Sequence, residues 1–382
     1  MKAMSFSALA LIALAACSPA DAPVTQEQVP MSDAARSTMD QVNSANFAAL
    51  SQVPAIPDPA VPTASTQTAG AATGGAQQEA TVAEGVHYDA AMVRIEVLLD
   101  RAHFSPGVID GYNGENVQKA VRAYQTAHGM TVNGQADEAL LQALTAQDSA
   151  PALIAYRITA EDVRGPFAPV PQDLEAMSRL EHVGYTSARE ALAEKFHMDE
   201  DLLQTLNPGV DFTRAGAEIV VASTGGNLGA QVASITVDKD AGAVLGYDAR
   251  GALIAYYPAT IGSADAPAPS GDYTVRGVAM NPTYRYDPAR LPTFGRRNHG
   301  ALNIAAGPNN PVGAVWIALS ADTYGIHGAP FPDQVSKTQS HGCVRLTNWD
   351  AIELGQAVSV GVPVRFRDGV NLAERPTPQS GG

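Results

Sequence analysis

Tyr324-Gly325-Ile326-His327-Gly328, then after a short spacer Ser340-His341-Gly342-Cys343-Val344-Arg345-Leu346, is the stretch from which the rest of the chain is best read. A thiol has a reference pKa near 8.5, so only a small fraction is thiolate at neutral pH. A nearby imidazole can take that proton, and glycines on both sides let backbone N–H groups approach a reacting carbonyl. Two histidines, glycines and one cysteine within seventeen residues therefore supply a base, a nucleophile and donors for an oxyanion. The same residues could instead be a chance grouping. A metal site built from His327, His341 and Cys343 is disfavoured, because this spacing matches no common zinc pattern.

Cysteine usage sharpens the reading. Only two cysteines occur, Cys17 and Cys343. Met1 and Lys2 form a short positive region, Ala8 to Ala16 an apolar stretch, and small residues follow, which is the layout of a secretory signal. The stretch ends in Leu14-Ala15-Ala16-Cys17, which resembles a bacterial lipobox, so residues 1–17 read as a lipoprotein signal with its lipobox, and the resemblance implies that Cys17 is acylated and becomes the new N-terminus after cleavage. Ser18 after that cysteine implies delivery to the outer membrane, hence a periplasmic location in a Gram-negative envelope. With Cys17 carrying lipid, Cys343 has no intramolecular disulfide partner, so it is either inert and buried or kept for chemistry.

The net charge is −15, and residues 1–229 hold roughly 12 basic against 27 acidic side chains. This argues against a nucleic-acid partner, which would demand a basic face. Residues 18–85 are rich in Ala, Pro, Thr, Gln and Gly and poor in large apolar side chains, so a flexible tether is expected there. A flexible tail is expected over 369–382.

Between tether and tail three bodies are expected. Residues 86–148 read as a small all-α domain, with helices over Tyr88 to Ala102, Glu115 to His128 and Asp137 to Leu144. Val93, Val97 and Leu98 share one face of the first helix, and Val117, Val121 and Tyr124 one face of the second. Within 155–224, a short strand at Tyr185, helices Ser187 to Phe196 and Asp199 to Thr205, a turn at Asn207-Pro208-Gly209 and a strand Glu218 to Ala222 suggest an α/β module or a plain spacer. From 232 to 368, strands are expected at Ser234 to Asp238, Ala243 to Tyr247, Leu253 to Ala259, Asp272 to Val278, Val315 to Leu319, Tyr324 to His327 and Pro363 to Phe366. One helix follows Asn348, read as its cap. A mainly-β sandwich of two sheets is the expected result.

The ordered motifs also carry resemblances. Helix, Pro106-Gly107-x-x-Asp110-Gly111, a helix ending in Tyr124-Gln125, Val132-Asn133-Gly134 and a third helix together resemble the peptidoglycan-binding three-helix domain. Leu206-Asn207-Pro208-Gly209 with Ile219-Val220-Val221 looks like a LysM glycan-binding module. The His-Gly and Ser-His-Gly-Cys stretch resembles the L,D-transpeptidase catalytic domain. Pro269-Ser270-Gly271-Asp272-Tyr273, Gly307-Pro308-Asn309-Asn310-Pro311-Val312-Gly313 and Gly361-Val362-Pro363-Val364 fit the same family in order.

That resemblance implies a cysteine acyltransferase of the cell wall that needs no cofactor. Cys343 is then the nucleophile and His327 the general base, oriented by the backbone carbonyl of Gly328. Gly342 supplies an oxyanion N–H, and His341 is an alternative base whose other role is loop packing. Arg345 is a candidate for a stem-peptide carboxylate, with Ser340, Tyr324 and Tyr284 beside it. The expected reaction expels the terminal D-alanine of a peptidoglycan stem peptide and joins two third-position residues. Water as acceptor would make a carboxypeptidase, and the N-terminus of an envelope protein would make an attachment enzyme. A lipid-anchored wall binder without catalysis is the rival reading; its partners would be glycan and the outer membrane.

Overall fold

A computed structural model of the chain describes residues 29–47, 88–263, 266–288, 300–338 and 342–372. The lipobox cysteine Cys17 and the site candidates Ser340 and His341 lie outside the described residues.

The expectation of a tether fails for residues 29–47. Helix α1 (Asp33–Ser44) starts at Ser32, whose side chain accepts from the Ala35 N–H. Its apolar side chains Ala35 and Val42, with Met31 before it, are buried in one core with residues from Val93 to Ala222. Few apolar residues are present, but they fall on one face, and that suffices when a preformed surface receives them. Val29 forms a parallel bridge with Ala217, and the Asn43 amide both donates to Leu153 O (2.9 Å) and accepts from Leu153 N (2.8 Å).

Helices α2 (Ala90–Arg101), α3 (Glu115–Ala127) and α4 (Glu138–Gln147) form the expected small helical domain, with Val93, Val97, Leu98, Val117, Val121 and Tyr124 all buried. Asp89 and Asp137 cap the first and third helices through their side chains. The domain does not stand apart. His103 and Ser105 exchange backbone hydrogen bonds with Tyr256, and Ile109 does the same with His197 and Asp199.

In the middle module, strand β1 (Leu153–Arg157) precedes the short α5 (Leu174–Met177), α6 (Ala188–Lys195) and α7 (Glu200–Leu206), and β2 (Glu218–Ala222) closes the module. The strand expected at Tyr185 is absent; β2 pairs instead with β1, antiparallel, from Leu153↔Ala222 to Arg157↔Glu218. Buried Asn207 joins the turn to this sheet, accepting from Val220 N at 2.6 Å and donating to Val220 O at 2.8 Å.

The remaining strands are β3 (Ser234–Asp238), β4 (Ala243–Tyr247), β5 (Leu253–Pro258), β6 (Thr260–Ile261), β7 (Gly271–Met280), β8 (Tyr284–Tyr286), β9 (Leu302–Ile304), β10 (Val315–Leu319), β11 (Gly325–His327), β12 (Val344–Arg345) and β13 (Pro363–Arg367), with helix α8 (Asn348–Ala357) before the last. Two separate sheets were expected; the hydrogen bonds make one nine-stranded sheet in the order β5-β4-β3-β13-β7-β10-β11-β12-β6. The reason is β7, ten residues long. Its first half pairs with β13 and its second with β10, so one strand belongs to both halves. Inward residues of both halves, among them Val237, Val244, Val275, Ile317, Ile326, Val344 and Phe366, share a single core that α8 covers through Ala351 and Leu354. The helical domain packs elsewhere on the same sheet, against Ala243, Leu245, Tyr247 and Tyr256. Of the expected tail, Val370 is still held, its N–H donating to Asp238 at 2.9 Å.

Candidate active site

Strands β11 and β12 run parallel, with Ile326 opposite Val344 and His327 opposite Arg345. Side chains two residues apart on a strand share a face. Cys343, just before β12 and two residues from Arg345, therefore belongs to the face that carries His327. Ile326 and Val344 point the other way into the core, both fully buried. This alternation explains why one short parallel pair can hold a polar face and a packed face together.

The His327 ring is fixed on two sides. Its Nδ1 lies 2.7 Å from the Gly328 carbonyl oxygen. A carbonyl can only accept, so Nδ1 carries the hydrogen and Nε2 is left as the basic nitrogen. Trp316, the register partner of His327 on β10, stacks on the imidazole with centroids 5.4 Å apart. Burial pushes the His327 pKa down to about 4, assisted by the Arg345 charge and opposed by the Gly328 bond. At neutral pH the ring is uncharged and able to take a proton.

Cys343 is half-buried, with Sγ 3.8 Å from the Thr323 carbonyl oxygen. Burial raises its thiol above the ordinary value, while a backbone hydrogen bond from Gly325 and the Arg345 charge act the other way. Both groups therefore rest neutral at neutral pH. Gly342 has φ +100°, and a Cβ there would stand 2.8 Å from the Tyr324 ring. Only glycine meets both demands without displacing Tyr324. Burial pushes Tyr284 up to about 12, and the Cys343 charge adds to the rise, so this phenol lies within electrostatic reach of the sulfur. Arg345 is half-buried, and burial lowers its pKa against the pull of Cys343 and Tyr284. Cys343, His327, Gly328, Gly342, Tyr324, Tyr284 and Arg345 thus share one neighbourhood.

Asn348 is not the cap it was expected to be. Thr347 caps α8, accepting from Asp350 N at 3.2 Å, and Asn348 is the first helical residue. Its buried amide is used for assembly: Oδ1 accepts from Ala314 N (2.9 Å), and Nδ2 donates to Pro308 O (3.1 Å) and to Glu194 Oε2 (3.0 Å). A Cβ on Gly313 or Gly328 would come within 2.2 Å of that Oδ1. Asn310, fully buried, closes the turn by accepting from Val312 N (2.8 Å) and donating to Ala305 O (2.8 Å). Sequence reasoning passed over Trp316, Glu194 and the bridging role of Asn348. Trp316 carried a signal, being one of only two tryptophans in the chain.

Residues 233–365 match the YkuD family, described as the L,D-transpeptidase catalytic domain. Over these residues the C-terminal domain is similar to the L,D-transpeptidase catalytic domain. Residues 89–144 match a family provisionally described as a peptidoglycan binding domain. The Bacillus subtilis protein YqjB, provisionally named an L,D-transpeptidase, is 34% identical over 118 residues, covering 29% of this chain and 58% of its own length. The similarly named YkuD protein of Bacillus licheniformis is 27% identical over 46% of this chain and 90% of its length. The chain thus spans a little over half of the first of these relatives. Among solved structures, an L,D-transpeptidase from Mycobacterium smegmatis is 23% identical over 40% of this chain and 63% of that one, with a TM-score of 0.29.

Proposed function

We propose that this protein is a peptidoglycan L,D-transpeptidase working through a Cys343 thioester. The observation that carries the reading is the Gly328 carbonyl on His327 Nδ1, which leaves Nε2 as base on the face that also carries Cys343. Cys343 attacks the carbonyl of the L-centre of a stem-peptide diamino acid while His327 takes the thiol proton. His327 then gives that proton to the departing D-alanine amine. An amine of a second stem takes the acyl group, forming a link between third-position residues. The N–H groups of Gly342 and Cys343 are assigned to the oxyanion, and Arg345 to a stem carboxylate.

The rest of the chain is read as delivery. The Leu14-Ala15-Ala16-Cys17 pattern supports a lipid anchor, with the outer membrane facing the periplasm as its site. The helical domain supports wall binding. The β1–β2 pair enclosing α6 and α7 supports a LysM-like glycan module, here with a longer first connection. Purified protein incubated with a tetrapeptide muropeptide tests the reaction by mass analysis. The expected result is an acyl adduct on Cys343 and cross-linked dimers, both absent in Cys343→Ala; dimers that persist in that variant overturn it. Hydrolysis alone would favour a carboxypeptidase, and failure of a carbapenem to label Cys343 would favour a non-catalytic wall binder.

A further inference from the structure

Residues 174–183 of the middle module, α5 and the chain after it, reach into the catalytic domain. Met177, Val183 and Ile304 form a small buried core of their own, with Leu174, Leu302 and Tyr284 packed against it. Ile304, Leu302 and Tyr284 belong to the β8–β9 pair, in which Tyr284 stands opposite Ile304. The others come from the middle module. Each strand of that pair is three residues long, and two strands alone are marginal in water. The pair therefore draws its order from what packs on it.

Backbone bonds fasten the same join. The Val183 N–H donates to Ala306 O (3.0 Å), and its carbonyl accepts from Asn309 N (3.2 Å), so the two bonds straddle Gly307. A Cβ on Gly307 would run into that carbonyl, so this close approach needs glycine there. The foot of the pair is tied as well. Asn281 leaves β7 with φ +50° and its N–H donates to Ala314 O at 2.7 Å, while the Asn310 amide donates to both Pro282 O and Ala305 O. The foot thus stands on the backbone that leads into β10, whose Trp316 stacks on His327. Tyr284 is half-buried in the cluster and within electrostatic reach of Cys343 and Arg345.

We propose that residues 174–183 are a clamp that positions Tyr284 beside Cys343, so that a segment outside the catalytic domain sets the wall an acyl donor passes. The inference rests on the transpeptidase reading and adds which residues beyond the catalytic domain shape its site. Met177 and Val183 are positioning residues, acting through the β8–β9 pair. With the clamp loosened, the phenol ring moves and the sulfur opens to solvent. A small reagent then gains access, while a bulky donor loses the wall that orients it.

The test uses the full chain, with a carbapenem as acyl donor and iodoacetamide as the small reagent. Met177→Ala should slow carbapenem acylation about tenfold and speed alkylation of Cys343 about threefold. Met177→Leu, which nearly keeps the volume, should restore both rates. Leu144→Ala, in the core of the helical domain, should lower the urea midpoint without altering either rate. In a Tyr284→Ala background, Met177→Ala should change neither rate further. Leu174→Ala, at a partly buried position, should give the same split at smaller size and replaces Met177→Ala should that variant not fold. Additive effects in the double variant, or two unchanged rates in Met177→Ala, overturn the clamp. A wild type that the carbapenem does not acylate defeats the transpeptidase reading instead, and the alkylation rates still decide the clamp.

Discussion

Asn348 Nδ2 donates to Glu194 Oε2 at 3.0 Å, and through it a carboxyl group of the middle module grips the first residue of the catalytic domain's helix. The other end of the same amide holds Ala314 N and packs where a side chain on Gly328 would be. Gly328 in turn orients His327. The path from module to imidazole is one side-chain hydrogen bond, one packed backbone and one carbonyl.

Glu194→Ala should therefore destabilise the chain by about 1–3 kcal/mol, because the buried Asn348 amide loses an acceptor. Glu194→Gln keeps an oxygen there and should cost less. Burial raises the Glu194 carboxyl to about 8, with Glu190 and Glu200 adding repulsion and Asn348 and Tyr185 opposing. The sign follows from proton binding. The folded state holds this proton up to about pH 8, whereas the unfolded state loses it near 4.5. The carboxyl's contribution is thus complete in acid and is lost as pH rises from about 4.5 to about 8. Urea denaturation at pH 5, 6.5 and 8 should show this decline in the wild type and a flatter profile in Glu194→Gln. Equal slopes in the two proteins would refute the assignment.

Gly328→Ala should cost roughly 1–3 kcal/mol through overpacking, since its Cβ would stand 2.2 Å from Asn348 Oδ1. The carbonyl that holds Nδ1 would shift as well, so acylation should fall more than stability alone explains. The check is to measure the urea midpoint and the acylation rate on one preparation. A variant with unchanged acylation would show that the carbonyl does not position the ring.

Cys343 and His327 both rest uncharged, which sets the pH response of the site. Acylation should rise as pH passes about 4, where the imidazole frees Nε2. The thiol titrates only above its ordinary value. Alkylation by iodoacetamide should therefore be slow at pH 6 and accelerate above about pH 9. Rapid alkylation at pH 6 would mean a thiolate–imidazolium pair at rest, contrary to this arrangement. His327→Gln should lower acylation about 10²–10⁴-fold.

The sequence was most readable where period and chemistry coincide. Strand positions such as Ser234–Asp238 and Val315–Leu319 follow from alternation bounded by turn residues, and the structure keeps those bounds. Cys343 and His327 could be singled out because cysteine is scarce and both have glycine-rich flanks, and the β11–β12 register puts them on one face. Sheet continuity was not legible, since nothing local tells that β7 pairs with β13 at one end and β10 at the other. Asn348 looked like a cap because a cap and a first-turn residue differ by one position, and Thr347 next to it is an equally good candidate. Glu194 gave no sign of its role: its partner lies 154 residues away, and only the folded chain brings a lone carboxyl to that amide.

The same limit hid α1, and it yields the last prediction. Composition marks residues 18–85 as tether, yet Val42 is fully buried, Asn43 exchanges two hydrogen bonds with Leu153, and Arg94 donates to Ala45 O at 2.6 Å. A helix of 12 residues is marginal alone in water, so α1 must draw its stability from the surface formed by α2, β1 and β2. Removing residues 1–47 should then strip an apolar cover from that core, lower the urea midpoint and raise binding of a hydrophobic dye. Val42→Ala should produce part of the effect, about 1–2 kcal/mol, by leaving a small cavity. Asp40→Asn, on the exposed face of the same helix, should have little effect. A truncated protein as stable as the full chain would show that residues 29–47 are a tether after all, and that their contacts contribute nothing to the fold.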